Sequence, residues 1–188
     1  MTEYCGIGAE ISGPYRYLLW REWRDLASPC PRDHWWWWDA YDGAGHQLGG
    51  PLSVVFVMLN PSTADSRLDD PTIRRCVDFA KRWQYQRIDV VNLFAYRATR
   101  PQVILGMDHT VDIVGPRNQD FVERALDQAG LIVCAWGNHG THLGQDQTMM
   151  GWIQGASNLP LMCLGRTRSG QPKHPLYVPA EKKLERFA

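Results

Sequence analysis

The run Val54-Val55-Phe56-Val57-Met58-Leu59 admits few folds. Apolar residues follow one another without alternation, the run is too short for a buried helix, and valine dominates it. That pattern predicts a strand covered on both faces, as in a parallel sheet. It stops at Asn60-Pro61-Ser62, where Pro61 has no backbone N–H to continue a ladder. In open α/β sheets ligands bind just beyond the carboxyl ends of the strands. Asn60 therefore stands where such a protein keeps its chemistry, although the same tripeptide also serves as a plain turn.

Downstream, the chain alternates. Asp70-Pro71 is a helix start, with a capping carboxylate and proline in the first turn. Ile73, Cys76, Val77, Ala80 and Trp83 follow at helical spacing, with Arg74, Arg75, Lys81 and Arg82 on other faces. A second strand covers 88–95, a helix opens at Gly115-Pro116 and ends at Gly130, and a third strand covers 131–136. A weaker helix spans roughly 146–155, a fourth strand covers 159–164, and the C-terminal tail is a short helix or frayed. This alternation predicts a three-layer α/β/α sandwich around a parallel sheet of about four strands.

Residues 1–50 read differently, as a β-rich, turn-rich extension to an α/β core at 51–178, within a single domain covering 1–188. Residues 15–23 mix aromatics with charge, which suits a half-exposed strand. Trp35-Trp36-Trp37-Trp38 cannot all face one way in either strand or helix. As a strand, one pair would cover the core while the other offers a stacking surface for a base, a sheet-edge cover or an oligomer contact.

Charge narrows the function classes. With 20 basic and 20 acidic residues the formal net charge is zero, which argues against a non-specific nucleic-acid binder while permitting a local basic patch. The five cysteines, Cys5, Cys30, Cys76, Cys134 and Cys163, form no Cys-x-x-Cys pair, so buried inert thiols are expected rather than a disulfide framework or metal site. No signal-peptide pattern or membrane-length apolar run is present, and the expectation is a cytoplasmic protein without membrane contact.

Polar residues recur at or just past the strand ends: Asn60, Asn92 or Arg97, Asn138 with His139, Arg166 with Thr167, and His174 after Lys173. Parallel strands would bring them to one rim of the sheet. Asn92 interrupts an apolar strand, and a buried carboxamide needs both a donor and an acceptor partner. Such a group can read one edge of a pyrimidine-like ring, or be satisfied by neighbouring backbone. His174, held by Pro175, could donate to an oxygen that gains charge in a transition state.

Leu59-Asn60-Pro61-Ser62, Asn92 leading to Tyr96-Arg97 and Pro101, and His174-Pro175 together resemble the motifs of the uracil-DNA glycosylase superfamily. The resemblance implies that fold, with DNA carrying a modified or damaged base as partner, single- or double-stranded, and no cofactor. It implies that Asn60 orients a hydrolytic water, Asn92 pairs with the flipped base and His174 contacts a base oxygen. Phe94 or Tyr96 would stack on the ring, and Arg97, Arg166, Thr167 and Lys173 would contact nucleic acid. Ser62 stands where those enzymes usually place glycine, so it would crowd the base or suit a different one. The last motif reads His-Pro-Leu rather than His-Pro-Ser.

Over about residues 15–178 the chain also resembles a bacterial and phage family of unknown function, through Leu-Asn-Pro-Ser-Thr-Ala-Asp, Asp-Asp-Pro-Thr-Ile-Arg-Arg-Cys, Val-Asn-Leu-Phe-Ala-Tyr-Arg-Ala-Thr and Lys-His-Pro-Leu-Tyr. Three functions compete: cleavage of an N-glycosidic bond in DNA, binding or sensing of a modified base or nucleotide in the same pocket, and metal-assisted hydrolysis using Asp65, Asp69, Asp70 and His139.

Overall fold

The apolar run forms the strand Ser53–Met58, buried along its whole length, in a computed structural model that describes residues 4–23, 53–62, 67–108 and 110–188. In chain order the elements are β1 (Tyr4–Ser12), β2 (Tyr15–Trp23), β3 (Ser53–Met58), α1 (Pro71–Arg82), β4 (Arg87–Asn92), α2 (Pro101–Leu105) and α3 (Asn118–Leu126). Then come β5 (Ala129–Cys134), a 3₁₀ segment (Asn138–Gly144), α4 (Gln145–Ala156), β6 (Leu161–Cys163), a 3₁₀ turn (Pro175–Tyr177) and β7 (Glu185–Arg186). The tryptophan run at 35–38, Cys30, Thr63 and Asp65 lie outside the described residues.

The expected parallel sheet of about four strands is corrected to a mixed sheet of seven, ordered β1-β2-β4-β3-β5-β6-β7. β4, β3, β5 and β6 pair in parallel. The N-terminal hairpin adds antiparallel to β4, and β7 adds antiparallel to β6. The hairpin belongs to the sheet because β2 has apolar residues to bury in both cores: Tyr17, Leu18, Leu19 and Trp23 are all at most 4% exposed. That corrects the half-exposed reading of 15–23. The tail is corrected too, since Glu185 and Arg186 pair with Cys163 and Met162 rather than fraying or coiling.

Alternate residues of the central strands feed two cores. Val55, Val57, Val91, Ile132 and Cys134 pack with Phe121, Val122, Met149 and Ile153 of α3 and α4. Val54, Phe56, Val90 and Val133 pack on the opposite face with Ile73, Cys76, Val77 and Phe79 of α1. This period-two division is what a strand buried on both faces requires. The helix start at Asp70-Pro71 is as expected, with Asp70 Oδ1 accepting from Ile73 N–H at 2.8 Å. Cys76, Cys134 and Cys163 are buried free thiols, and burial pushes those of Cys76 and Cys134 well above the ordinary range; Cys5 is buried too, with its Sγ 3.6 Å from Glu22 Oε1. No helix among the described residues is long and apolar enough to cross a membrane.

Candidate functional site

The connection leaving β3 runs to β4, whereas the one leaving β5 runs to β6, on the other side. Adjacent parallel strands whose connections diverge open a crevice at their carboxyl ends. A cavity of about 640 Å³ occupies that position, bounded by the ends of β3, β4 and β5, the start of α1 and the loop carrying His174. Its size lies within the usual range for small-molecule and cofactor sites.

Asn60, Ser62, Asn92, Thr167, Lys173 and His174 all line this one cavity. Phe94, Tyr96, Arg97 and Arg166 do not. Phe94 is fully buried with its ring 5.7 Å from that of His142. An apolar ring just past a strand end is drawn into the core, where it removes more surface from water than a cavity wall allows. Tyr96 makes an edge contact with Tyr15, 5.8 Å between ring centres, and Arg97 is half-buried. Arg166 donates to the main-chain oxygens of Arg186 and Phe187, at 3.3 and 2.7 Å, and lies over the Phe187 ring, so it braces the C-terminal segment.

Asn92 is 1% exposed, and among the described residues neither its Oδ1 nor its Nδ2 has a hydrogen-bond partner. Leaving a buried amide unsatisfied costs about 1–3 kcal/mol in protein contexts. A folded chain carries that cost readily where a ligand supplies the missing partners.

Asn60 is oriented by its surroundings. Its Nδ2 donates to the Ala98 carbonyl at 2.8 Å and the Pro61 carbonyl at 3.1 Å. Both partners are acceptors only, which fixes the amide and leaves Oδ1 as the acceptor turned to other uses.

His174 Nδ1 accepts from Leu176 N–H at 3.2 Å. Burial lowers the imidazole pKa to about 4, with the charge of Asp70 opposing the shift. At neutral pH the ring is therefore uncharged and its proton sits on Nε2, making it a donor. Because Nδ1 is occupied by the backbone, the arrangement is not a Ser-His-Asp relay, although Ser62 and Asp70 share the cavity.

Two further lining residues carry polar or aromatic capacity that the sequence pattern does not assign. Trp136, 2% exposed, donates from Nε1 to Gln171 Oε1 at 2.7 Å, and Gln171 Nε2 donates to Asp146 Oδ2 at 3.1 Å. Gly140 lies so close that a Cβ there would stand 2.0 Å from Trp136 Cδ1. The indole is thus held on its edge and face, a fixed aromatic wall. Arg16 on β2, 3% exposed, brings a guanidinium whose pKa burial lowers to about 10. Trp136 ends an apolar run and reads as core; Arg16 reads as surface. Only their positions past or beside the strand ends could have signalled otherwise.

Of the four residues offered for metal-assisted hydrolysis, Asp70 and His139 line the cavity and Asp65 lies outside the described residues. Asp69 accepts from Tyr4 Oη and from Arg21 Nε, the latter at 2.7 Å, and Asp70 is engaged by Ser62 and Ile73. Among the described residues no three His, Cys, Asp or Glu side chains are grouped as metal ligands.

Nothing among curated proteins or solved structures matches the chain. A family model described as "Protein of unknown function (DUF1643)" matches residues 16–176, which include the strands, helices and loops that build the cavity, and the chain belongs to that family.

Proposed function

We propose that this protein is a DNA glycosylase-like hydrolase that takes a flipped, damaged or modified base into the cavity and cleaves its N-glycosidic bond. The observation that carries the reading is the Asn92 carboxamide, buried in the cavity wall with both polar atoms unpartnered. A heterocycle with adjacent donor and acceptor atoms is the ligand that completes it. Asn60 Oδ1 would accept from the water, and His174 Nε2–H would donate to an oxygen of the departing base. Trp136 would take the stacking role in place of Phe94 or Tyr96. Lys173 and Thr167 at the mouth are the candidate contacts to nucleic acid. We read the parallel block β4-β3-β5-β6, with helices on both faces, as the uracil-DNA glycosylase-like arrangement that the motifs imply.

Excision assays test the reading, using uracil, hypoxanthine and hypermodified bases in single- and double-stranded oligonucleotides. Abasic product from one of these bases, lost in Asn92→Leu, is the expected result. Folded protein giving no abasic product from any base overturns it.

A second reading keeps the pocket as a binder or sensor of a modified base or nucleotide. The zero net charge, and Leu176 where the resembled enzymes carry the serine of His-Pro-Ser, favour it. A nucleotide retained through purification, with affinity unchanged in Asn60→Ala, would identify that case.

A further inference from the structure

Hydrolysis of a glycosidic bond consumes a water whose proton must be taken up, and a carboxamide such as Asn60 is too weak a base to take it. The cavity wall contains a carboxylate that can. Asp70 and Ser62 both line the cavity, and the Ser62 hydroxyl donates to Asp70 Oδ2. The other oxygen, Oδ1, is held by Ile73 N–H at 2.8 Å, so the carboxylate cannot swing away. A helix cap bound to a serine would ordinarily be structure alone. Here the same cavity also contains Asn92, 1% exposed and unpartnered at both polar atoms, which marks the space as a ligand site.

Resting on the glycosidic reading above, we propose that the Ser62–Asp70 pair accepts the proton of the hydrolytic water. A water donating one hydrogen to Asn60 Oδ1 directs the other to Ser62 Oγ and keeps a lone pair for the sugar C1′. As the new O–C1′ bond forms, the water's proton passes to Ser62 Oγ while the Ser62 proton passes to Asp70 Oδ2. The C1′–N bond breaks and its electron pair leaves with the base, whose oxygen receives the His174 Nε2–H hydrogen bond. The base anion then takes a proton from solvent and Asp70 returns one to it, so atoms and charge balance over the cycle. Ser62 is thus a proton carrier. It stands where the resembled enzymes place glycine because this pocket routes its proton along the side of the loop.

The pair is separable from the cap. Asparagine caps a helix as well as aspartate does, so Asp70→Asn keeps α1 anchored while removing the proton acceptor. The experiment measures single-turnover and steady-state base excision by wild type, Asp70→Asn, Ser62→Ala and the double variant, on the best base of the panel above. A positioned proton acceptor contributes about 10²–10⁴-fold, so each single variant is expected to lose kcat in that range with KM little changed. The double variant should lose no more than the worse single one, because the two act as a unit. Wild-type kcat in Asp70→Asn overturns the proposal, as do fully additive losses. Should Asp70→Asn fail to fold by circular dichroism, wild-type kcat in Ser62→Ala overturns it equally. An inactive wild type overturns the glycosidic reading and this step with it; an active wild type with an active Asp70→Asn overturns only the step.

Discussion

Asn118, at the start of α3, donates through Nδ2 to the main-chain oxygens of both Asn92 and Leu93, at 2.9 and 3.3 Å. The Nδ2 of one buried amide therefore reaches the two carbonyls with which β4 leaves the sheet, and by doing so fixes the backbone that carries the Asn92 side chain. Asn118→Leu is expected to destabilise the fold by about 1–3 kcal/mol, because it strands those carbonyls in the interior. Urea denaturation reads the loss, and an unchanged midpoint would mean that water replaces the amide there.

Asn92 itself is predicted to behave in the opposite way. Asn92→Leu removes two buried polar atoms that have no partner. The ligand-free fold should gain about 1–3 kcal/mol, since the desolvation cost disappears with the amide. Ligand binding or excision should vanish in the same variant. A loss of stability by equilibrium denaturation would show that the carboxamide is satisfied in the free protein.

His174 supplies a pH signature. Its folded pKa of about 4 lies below the unfolded value near 6.5, so the unfolded chain binds the proton first as pH falls. The contribution is fully present above the unfolded value and is lost as pH falls through about 4, at no more than about 1.4 kcal/mol per pH unit. Denaturation midpoints compared between pH 7 and pH 4.5 should fall further in wild type than in His174→Gln. Proton NMR should show this ring still uncharged at pH 5.5, and a midpoint of titration near 6.5 would contradict the half-buried neutral donor.

Gly140→Ala tests the aromatic wall. The added Cβ meets the Trp136 indole at 2.0 Å, and the indole is pinned through Nε1 by Gln171, so the ring has to move. Overpacking of this kind costs about 1–3 kcal/mol. Affinity for a stacked ligand should fall beyond what stability explains, whereas Gly151→Ala, with open space around it inside α4, should leave affinity unchanged and raise stability by about 0.5–1 kcal/mol. Equilibrium binding of a fluorescent nucleoside to the three proteins checks this.

The central architecture was legible because its residues obey a single period. Val54, Phe56 and Met58 turn to α1 while Val55 and Val57 turn to α3 and α4, and a continuous apolar run is what such a strand needs. Asp70-Pro71 was legible because capping chemistry is local. Asn60 and Asn92 were readable as polar interruptions next to apolar runs, and His174 as a loop histidine held by Pro175. What escaped depends on distant pairing. β7 has only two residues, and its identity lies in the backbone of β6 rather than in Glu185 or Arg186. α2 has five residues, too few to show a period. Arg16 reads as a surface charge until β2 is set against β4, where its N–H bonds the Ala95 carbonyl at 2.9 Å. Phe94 failed for the converse reason: an aromatic side chain beside a strand end looks the same whether it faces a ligand or the core.

The two flanks of the sheet carry a consequence for the order in which the molecule is made. Arg16 enters the cavity from the hairpin that opens the described chain, while Phe187 sets its ring edge-on to Trp136 at 5.5 Å and donates its N–H to the Leu161 carbonyl. A ribosome therefore releases the parallel strands well before the last prop of the cavity wall has emerged. Until residue 187 is free, the nascent protein can hold its central strands yet lacks a finished pocket. Ligand-binding competence should consequently appear after the chain has already become protease-resistant.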